Sequence, residues 1–157
     1  DMAPPRTLLQ EVAEVAVGET ISCARTDART SEGAVYCWGQ GPLGQAGLEQ
    51  SNVARKVPGL REIVALDVTT PHACAVSREG RVWCWGSAFR ELGVDEATDS
   101  PVEVQFAEPT FLEDVVVGPT FSCALDERGR VYCWGGISSV GIGPCRGCGA
   151  FELPCLG

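Results

Sequence analysis

Apolar residues run through this chain in short stretches that alternate faces, and the stretches return three times in the same order. Val12 to Val17, Ile63 to Val68 and Leu112 to Val117 each open a unit. Each continues through VAVGETISCA, LDVTTPHACA or VVVGPTFSCA and closes on VYCWG, VWCWG or VYCWG. The first cysteines, Cys23, Cys74 and Cys123, are 51 and 49 residues apart, and the second, Cys37, Cys84 and Cys133, are 47 and 49 apart. A fixed period of this length predicts a solenoid, propeller or array. The β-branched and aromatic content, with glycine and proline between runs, predicts strands.

The second unit predicts its own hairpin. A fold at Glu79 opposes Cys74 to Cys84 and Val76 to Val82, with Gly80 supplying the positive φ that ends a three-residue loop. Gly129 does the same for Cys123 and Cys133, and the first unit carries four extra loop residues between Cys23 and Cys37. Alternation puts Cys74, Val76, Val82 and Cys84 on one face and Ala75, Trp83 and Trp85 on the other. Neither face is polar, so the sheet must be sandwiched, as a blade is in a radial stack. The opening apolar strand of each unit is expected to line the centre.

These residues resemble the regulator of chromosome condensation repeat family, in an exported, disulfide-containing form of bacterial type. The pattern is carried by Gly118, Phe121, Gly129, Val131, Trp134 and Gly135, with Leu43-Gly44, Leu92-Gly93 and Val140-Gly141 as the following segments. Thr69 stands where Gly18 and Gly118 stand in the sister units, and Ala88 falls near a position the family often gives to asparagine. The resemblance implies an all-β fold, here a partial β-propeller of three antiparallel blades of about 50 residues. The blades run over residues 11–58, 59–108 and 109–143, between a lead of residues 1–10 and a cysteine-rich tail of residues 144–157. Closed propellers use about four to eight blades, so three make an open arc, a fragment of a larger propeller, or one protomer of an assembly.

Composition narrows the setting. Twenty-one acidic residues against 12 basic ones give a net charge of -9, a field that repels phosphate and anionic lipid, so nucleic acid is not the expected partner. No apolar run approaches the roughly 20 residues of a membrane helix. Nine cysteines beside one methionine and one histidine point to an oxidising compartment: extracellular, cell surface or periplasmic. The opening Asp1-Met2-Ala3-Pro4-Pro5 is not a signal segment, which suggests a processed or trimmed start. The hairpin cysteines are expected as the disulfides Cys23–Cys37, Cys74–Cys84 and Cys123–Cys133, each restricting the unfolded chain by about 2.5 to 3 kcal/mol. In a reducing cytosol they would pack as small hydrophobes instead.

The tail holds Cys145, Cys148 and Cys155. An odd number of thiols suggests one local bridge and one cysteine paired with another molecule or segment. A zinc site would need a fourth ligand, from His72 or another chain, and redox use of Cys145 and Cys148 lacks a βαβ setting. His72 occupies the slot of Ile21 and Phe121 and reads as a packed blade residue, with no serine or cysteine placed by sequence as its catalytic partner. Glu113, Asp114, Asp126 and Glu127 read as solvated carboxylates at turns and strand starts. Trp38, Trp85 and Trp134 recur in register and read as core.

No metal, cofactor or catalytic residue is assigned. The expected function is protein–protein interaction or extracellular assembly through a protein partner or self-association, because an arc leaves apolar faces at its ends. The alternatives are a secreted enzyme inhibitor of propeller type, a structural surface or filament subunit, and, last, an enzyme on a propeller scaffold. Guanine-nucleotide exchange with chromatin binding, which the resemblance also implies, suits neither the cysteines nor the charge.

Overall fold

The computed structural model describes residues 9–86, 98–106 and 110–135, and every regular element within them is a β-strand. β1 (Val12–Val17), β2 (Ile21–Thr26), β3 (Val35–Gln40) and β4 (Gln50–Lys56) form one antiparallel sheet in chain order. β5 (Ile63–Val68), β6 (His72–Ser77), β7 (Val82–Gly86) and β8 (Thr98–Glu103) form a second, and β9 (Leu112–Val117), β10 (Phe121–Asp126) and β11 (Val131–Gly135) a third. This is the all-β arc of three antiparallel blades that the repeat predicts. Ala88, Leu92-Gly93, Val140-Gly141 and the tail cysteines Cys145, Cys148 and Cys155 lie outside the described residues.

The hairpins hold the register read from the sequence. Cys74 faces Cys84 and Val76 faces Val82, with Gly80 at φ 75°. The loop closes through Ser77 N–H to the Arg81 carbonyl at 2.9 Å and Gly80 N–H to the Ser77 carbonyl at 2.8 Å. In the third blade Gly129, at φ 78°, repeats the device. The turn before each second strand closes in the same way three times. Gly18 N–H donates to Ile21, Thr69 to His72 and Gly118 to Phe121, at 2.8, 2.9 and 2.8 Å. The backbone at these positions is not left-handed, so Thr69 fits where its sisters are glycine and the second blade keeps the turn.

The glycine that ends each VYCWG-type strand is a different case. Gly39, Gly86 and Gly135 take φ of 101°, 133° and 106°, and a Cβ at Gly86 would run into the Pro71 carbonyl oxygen and His72. Only glycine meets both demands.

Two buried clusters fill the spaces between blades. One joins Ile21, Cys23, Val35 and Cys37 to Leu66, Val68, Ala73, Ala75 and Trp85. The other joins Cys74, Val76, Val82 and Cys84 to Leu112, Val115, Ala124 and Trp134. All six residues of β6 are buried, which is the sandwiched sheet that two apolar faces require.

The ends differ from the middle. β1 lies beside β5 and β5 beside β9, as strands that line a centre should, but Val12, Val15 and Val17 of β1 are exposed. Trp38 likewise is half-buried, whereas Trp85 and Trp134 are core. Both departures follow from position, since the first blade has a neighbour on one side only among the described residues.

Candidate functional site

Pairing across the strands assigns two unlike faces to each blade. One face carries the cysteines and valines: Cys23, Val35 and Cys37 in the first blade, Cys74, Val76, Val82 and Cys84 in the second, and Cys123, Leu125, Val131 and Cys133 in the third. The other carries the aromatics over small residues: Ala24 with Tyr36, Ala75 with Trp83, and Ala124 with Tyr132. Inside the chain the cysteine face of one blade packs on the aromatic face of the next, twice.

The structure contains the disulfides Cys23–Cys37, Cys74–Cys84 and Cys123–Cys133, with Cα atoms 4.1, 4.2 and 4.1 Å apart. That separation is the closer of the two antiparallel spacings, in which side chains meet directly. The first two bridges are fully buried between blades, and Cys123 and Cys133 are half-buried on the outer face of the third.

His72 sits inside the contact between the second and third blades, without exposed surface, its Nε2 2.8 Å from Ser122 Oγ. Its Nδ1 is buried without a partner among the described residues, and burial lowers its pKa to about 4. Ser122 is equally buried, so the pair joins two blades and offers no accessible nucleophile and base. Sequence reading could place His72 in the core but had no signal for Ser122, which is 50 residues away.

Asp126 corrects the reading of it as a solvated turn acid. It is 2% exposed and accepts hydrogen bonds from the Arg128 and Arg130 amides at 3.0 and 2.8 Å, from Arg130 Nε at 2.7 Å and from the Tyr132 hydroxyl at 3.3 Å. Burial pushes its carboxyl up, but the Arg130 and Arg128 amides and the Arg130 guanidinium outweigh that and hold it below the ordinary carboxylate range. A short polar residue that bonds to the backbone two residues on is a turn device, and Asp126 plays that part. Glu113, Asp114 and Glu127 are exposed, as solvated carboxylates should be.

A cleft of about 430 Å³ opens between the first two blades, lined by Thr20, Pro42, Leu43, Thr70, Pro71 and Asp99 among others. Thr20 and Thr70 meet across it at 3.3 Å, and Trp85 Nε1 donates to the Pro42 carbonyl at 2.8 Å beside it. Apolar side chains are also exposed on the outer faces of the first and third blades among the described residues. Val15 and Val17 are exposed at one end, and Val116, Leu125 and Val131 at the other. Among the described residues no three metal-ligating side chains converge, and no helix is long and apolar enough to cross a membrane.

The regulator of chromosome condensation (RCC1) repeat model matches residues 72–89 and 113–141. The second and third blades thus carry repeats that match this family. Its repeats are similar to those of Protein pim1 of Schizosaccharomyces pombe, 29% identical over 120 residues, covering 70% of this chain and 21% of pim1. They also match the human E3 ubiquitin-protein ligase HERC2, 33% identical over 92 residues, covering 54% of this chain and 2% of the ligase. In fold the repeats are similar to human WBSCR16 (TM-score 0.67, 24% identity), covering 79% of this chain and 33% of that one. Prp20p of Saccharomyces cerevisiae gives a TM-score of 0.63 at 23% identity, with coverage of 79% and 32%. The chain thus spans about a third of the solved structures and about a fifth of pim1.

Proposed function

We propose that the chain is an exported, disulfide-stapled propeller-repeat module that binds protein and does not catalyse a reaction. The observation that supports this is the apolar surface exposed on the outer faces of the first and third blades among the described residues, beside well-packed contacts between blades. Exposed apolar surface of this kind marks an interaction site. Similar proteins use the fold for protein contacts: Prp20p is described with binding properties to Gsp1p and histones, and yeast RCC1 bound to Kap60. The net charge of -9 gives this chain no electrostatic attraction to nucleic acid. Three bridged hairpins suit an oxidising compartment outside the cytosol.

The test begins with alkylation of free thiols in the native source before lysis, then mass mapping of cysteine peptides and sizing of the undisrupted particle. Six oxidised hairpin cysteines and a particle heavier than one chain are expected. Alkylated Cys74 and Cys84 would sink export, and a particle of one chain alone would sink the binding reading.

A further inference from the structure

The cleft between the first two blades is a preformed space. Residues of the connection from β3 to β4, of the turns before β2 and β6, and Asp99 of β8 line it. Gln40 N–H donates to the Thr20 carbonyl at 2.8 Å, Thr20 Oγ1 donates to the Gln40 carbonyl at 2.7 Å, and Gly41 N–H donates to the Glu49 carbonyl at 3.0 Å. Gln45 Nε2 ties the same connection to the Lys56 carbonyl at 2.6 Å. From the second blade, Trp85 Nε1 donates to the Pro42 carbonyl at 2.8 Å, and the Asp99 carboxylate lies 3.5 Å from Gly47 N–H. The connection is therefore held by both blades, around a volume of about 430 Å³ that falls within the range of about 300 to 1,000 Å³ common to binding pockets.

Its chemistry is divided between apolar surface and negative charge. Leu43 is buried and Pro42, Leu48 and Pro71 are half-buried. Glu49 and Asp99 are exposed, and neither takes part in an ion pair among the described residues. No lysine, arginine, histidine or aromatic side chain is among the described residues that line the cleft. Two uncompensated carboxylates on a chain of net charge -9 repel an anion, and without an aromatic lining there is no ring on which a flat ligand could stack. The combination suits a side chain that is apolar along its stem and positive at its tip, as lysine and arginine are.

We propose that this cleft binds a basic side chain, next to an apolar one, from an extended segment of a protein partner. The proposal gives the binding-module reading its partner chemistry and rests on that reading. The methylene stem lies along Pro42, Leu48 and Pro71, and the cation meets Glu49 and Asp99. The negative field of the whole chain draws such a segment in, and the two carboxylates select the residue that enters.

The test pans a random hexapeptide display library on the 157-residue chain, on the double variant Glu49→Gln with Asp99→Asn, and on the charge-reversed Glu49→Lys with Asp99→Lys. These substitutions change exposed side chains, and circular dichroism with disulfide mapping establishes that each variant keeps the fold. The unaltered chain is expected to enrich peptides with arginine or lysine beside leucine, valine or proline, and the charge-reversed variant peptides with an acidic residue in that place. Titrated by NMR, the enriched basic peptide should shift the amides of Gly41, Leu48, Thr70 and Asp99. It should bind the Gln and Asn variant about fivefold to tenfold more weakly. Citrulline or norleucine in place of its basic residue should cause a loss of the same size on the unaltered chain and none on that variant.

An acidic or uncharged consensus on the unaltered chain, or no consensus, overturns the proposal. So does a basic peptide whose affinity the Gln and Asn variant leaves unchanged, or whose shifts fall away from the cleft. The binding-module reading is judged separately, by the mass of the native particle. A particle heavier than one chain keeps that reading where the cleft fails, and a particle of one chain removes both.

Discussion

Gly86 shows how much one residue type can be asked to do. With φ at 133° and the Pro71 oxygen where a Cβ would lie, Gly86→Ala combines left-handed backbone strain with a steric clash. It is expected to lower unfolding free energy by about 2 kcal/mol or more, measured by urea denaturation. A neutral effect would mean that the strand end can swing away from Pro71.

His72 and Asp126 set opposite ends of an acid profile. The pKa of His72 is lowered from 6.5 to about 4 in the fold, so the unfolded chain binds the proton first. Its stabilising neutrality is intact above pH 6.5 and is lost as pH falls towards 4, by up to about 3 kcal/mol. Asp126 is held below 3.8, so its contribution is present above that value and is lost only in stronger acid. His72→Phe, which copies the aromatic at Phe121, should flatten stability between pH 6.5 and 4 and leave the lower limb unchanged. A slope that persists in the variant would assign the upper limb to another group.

At the scale of the element, the hairpin is the unit that the sequence makes legible. The spacing of Cys74, Gly80 and Cys84 is enough to place two strands, the turn and the facing residues, because cross-strand register follows from loop length and the two-residue period. What it did not reveal were the contacts between hairpins. Ser122 on His72 and Asp126 on its own loop depend on which blade lies alongside and on a side chain turning inward, and neither leaves a periodic mark. The same reason explains Trp38 and Val17, whose letters match buried sisters and whose burial is decided by a neighbour.

The disulfides allow a test at this scale. Cys74→Ala with Cys84→Ala loses about 3 kcal/mol of unfolded-state restriction and also leaves a void at a fully buried site. Cys123→Ala with Cys133→Ala, at a half-buried site, should lose the restriction with less of the void. Thermal unfolding is expected to rank the second-blade pair as the more damaging, and equal losses would show that burial of the sulfurs adds nothing.

For the whole molecule, stability should fall from the middle of the arc to its ends, since stacked repeats gain from each neighbour. Amide exchange is expected to be slowest in β6, buried on both faces, and fastest in β1 and β11. Uniform protection would mean that the three blades open as one cooperative unit. A gradient would place the open faces among the first regions to loosen, where a bound partner has most to contribute.

The register of the cysteines also bears on how the chain reaches this state. Each bridge joins the two strands of one hairpin, over 14, 10 and 10 residues, so correct pairing needs only the local loop closure that occurs early in a folding chain. None of these three bridges waits for one blade to find another. A reduced chain emerging from synthesis can oxidise its first hairpin before the second has been made, and the order of cysteines along the sequence then dictates their connectivity, first with second, third with fourth, fifth with sixth.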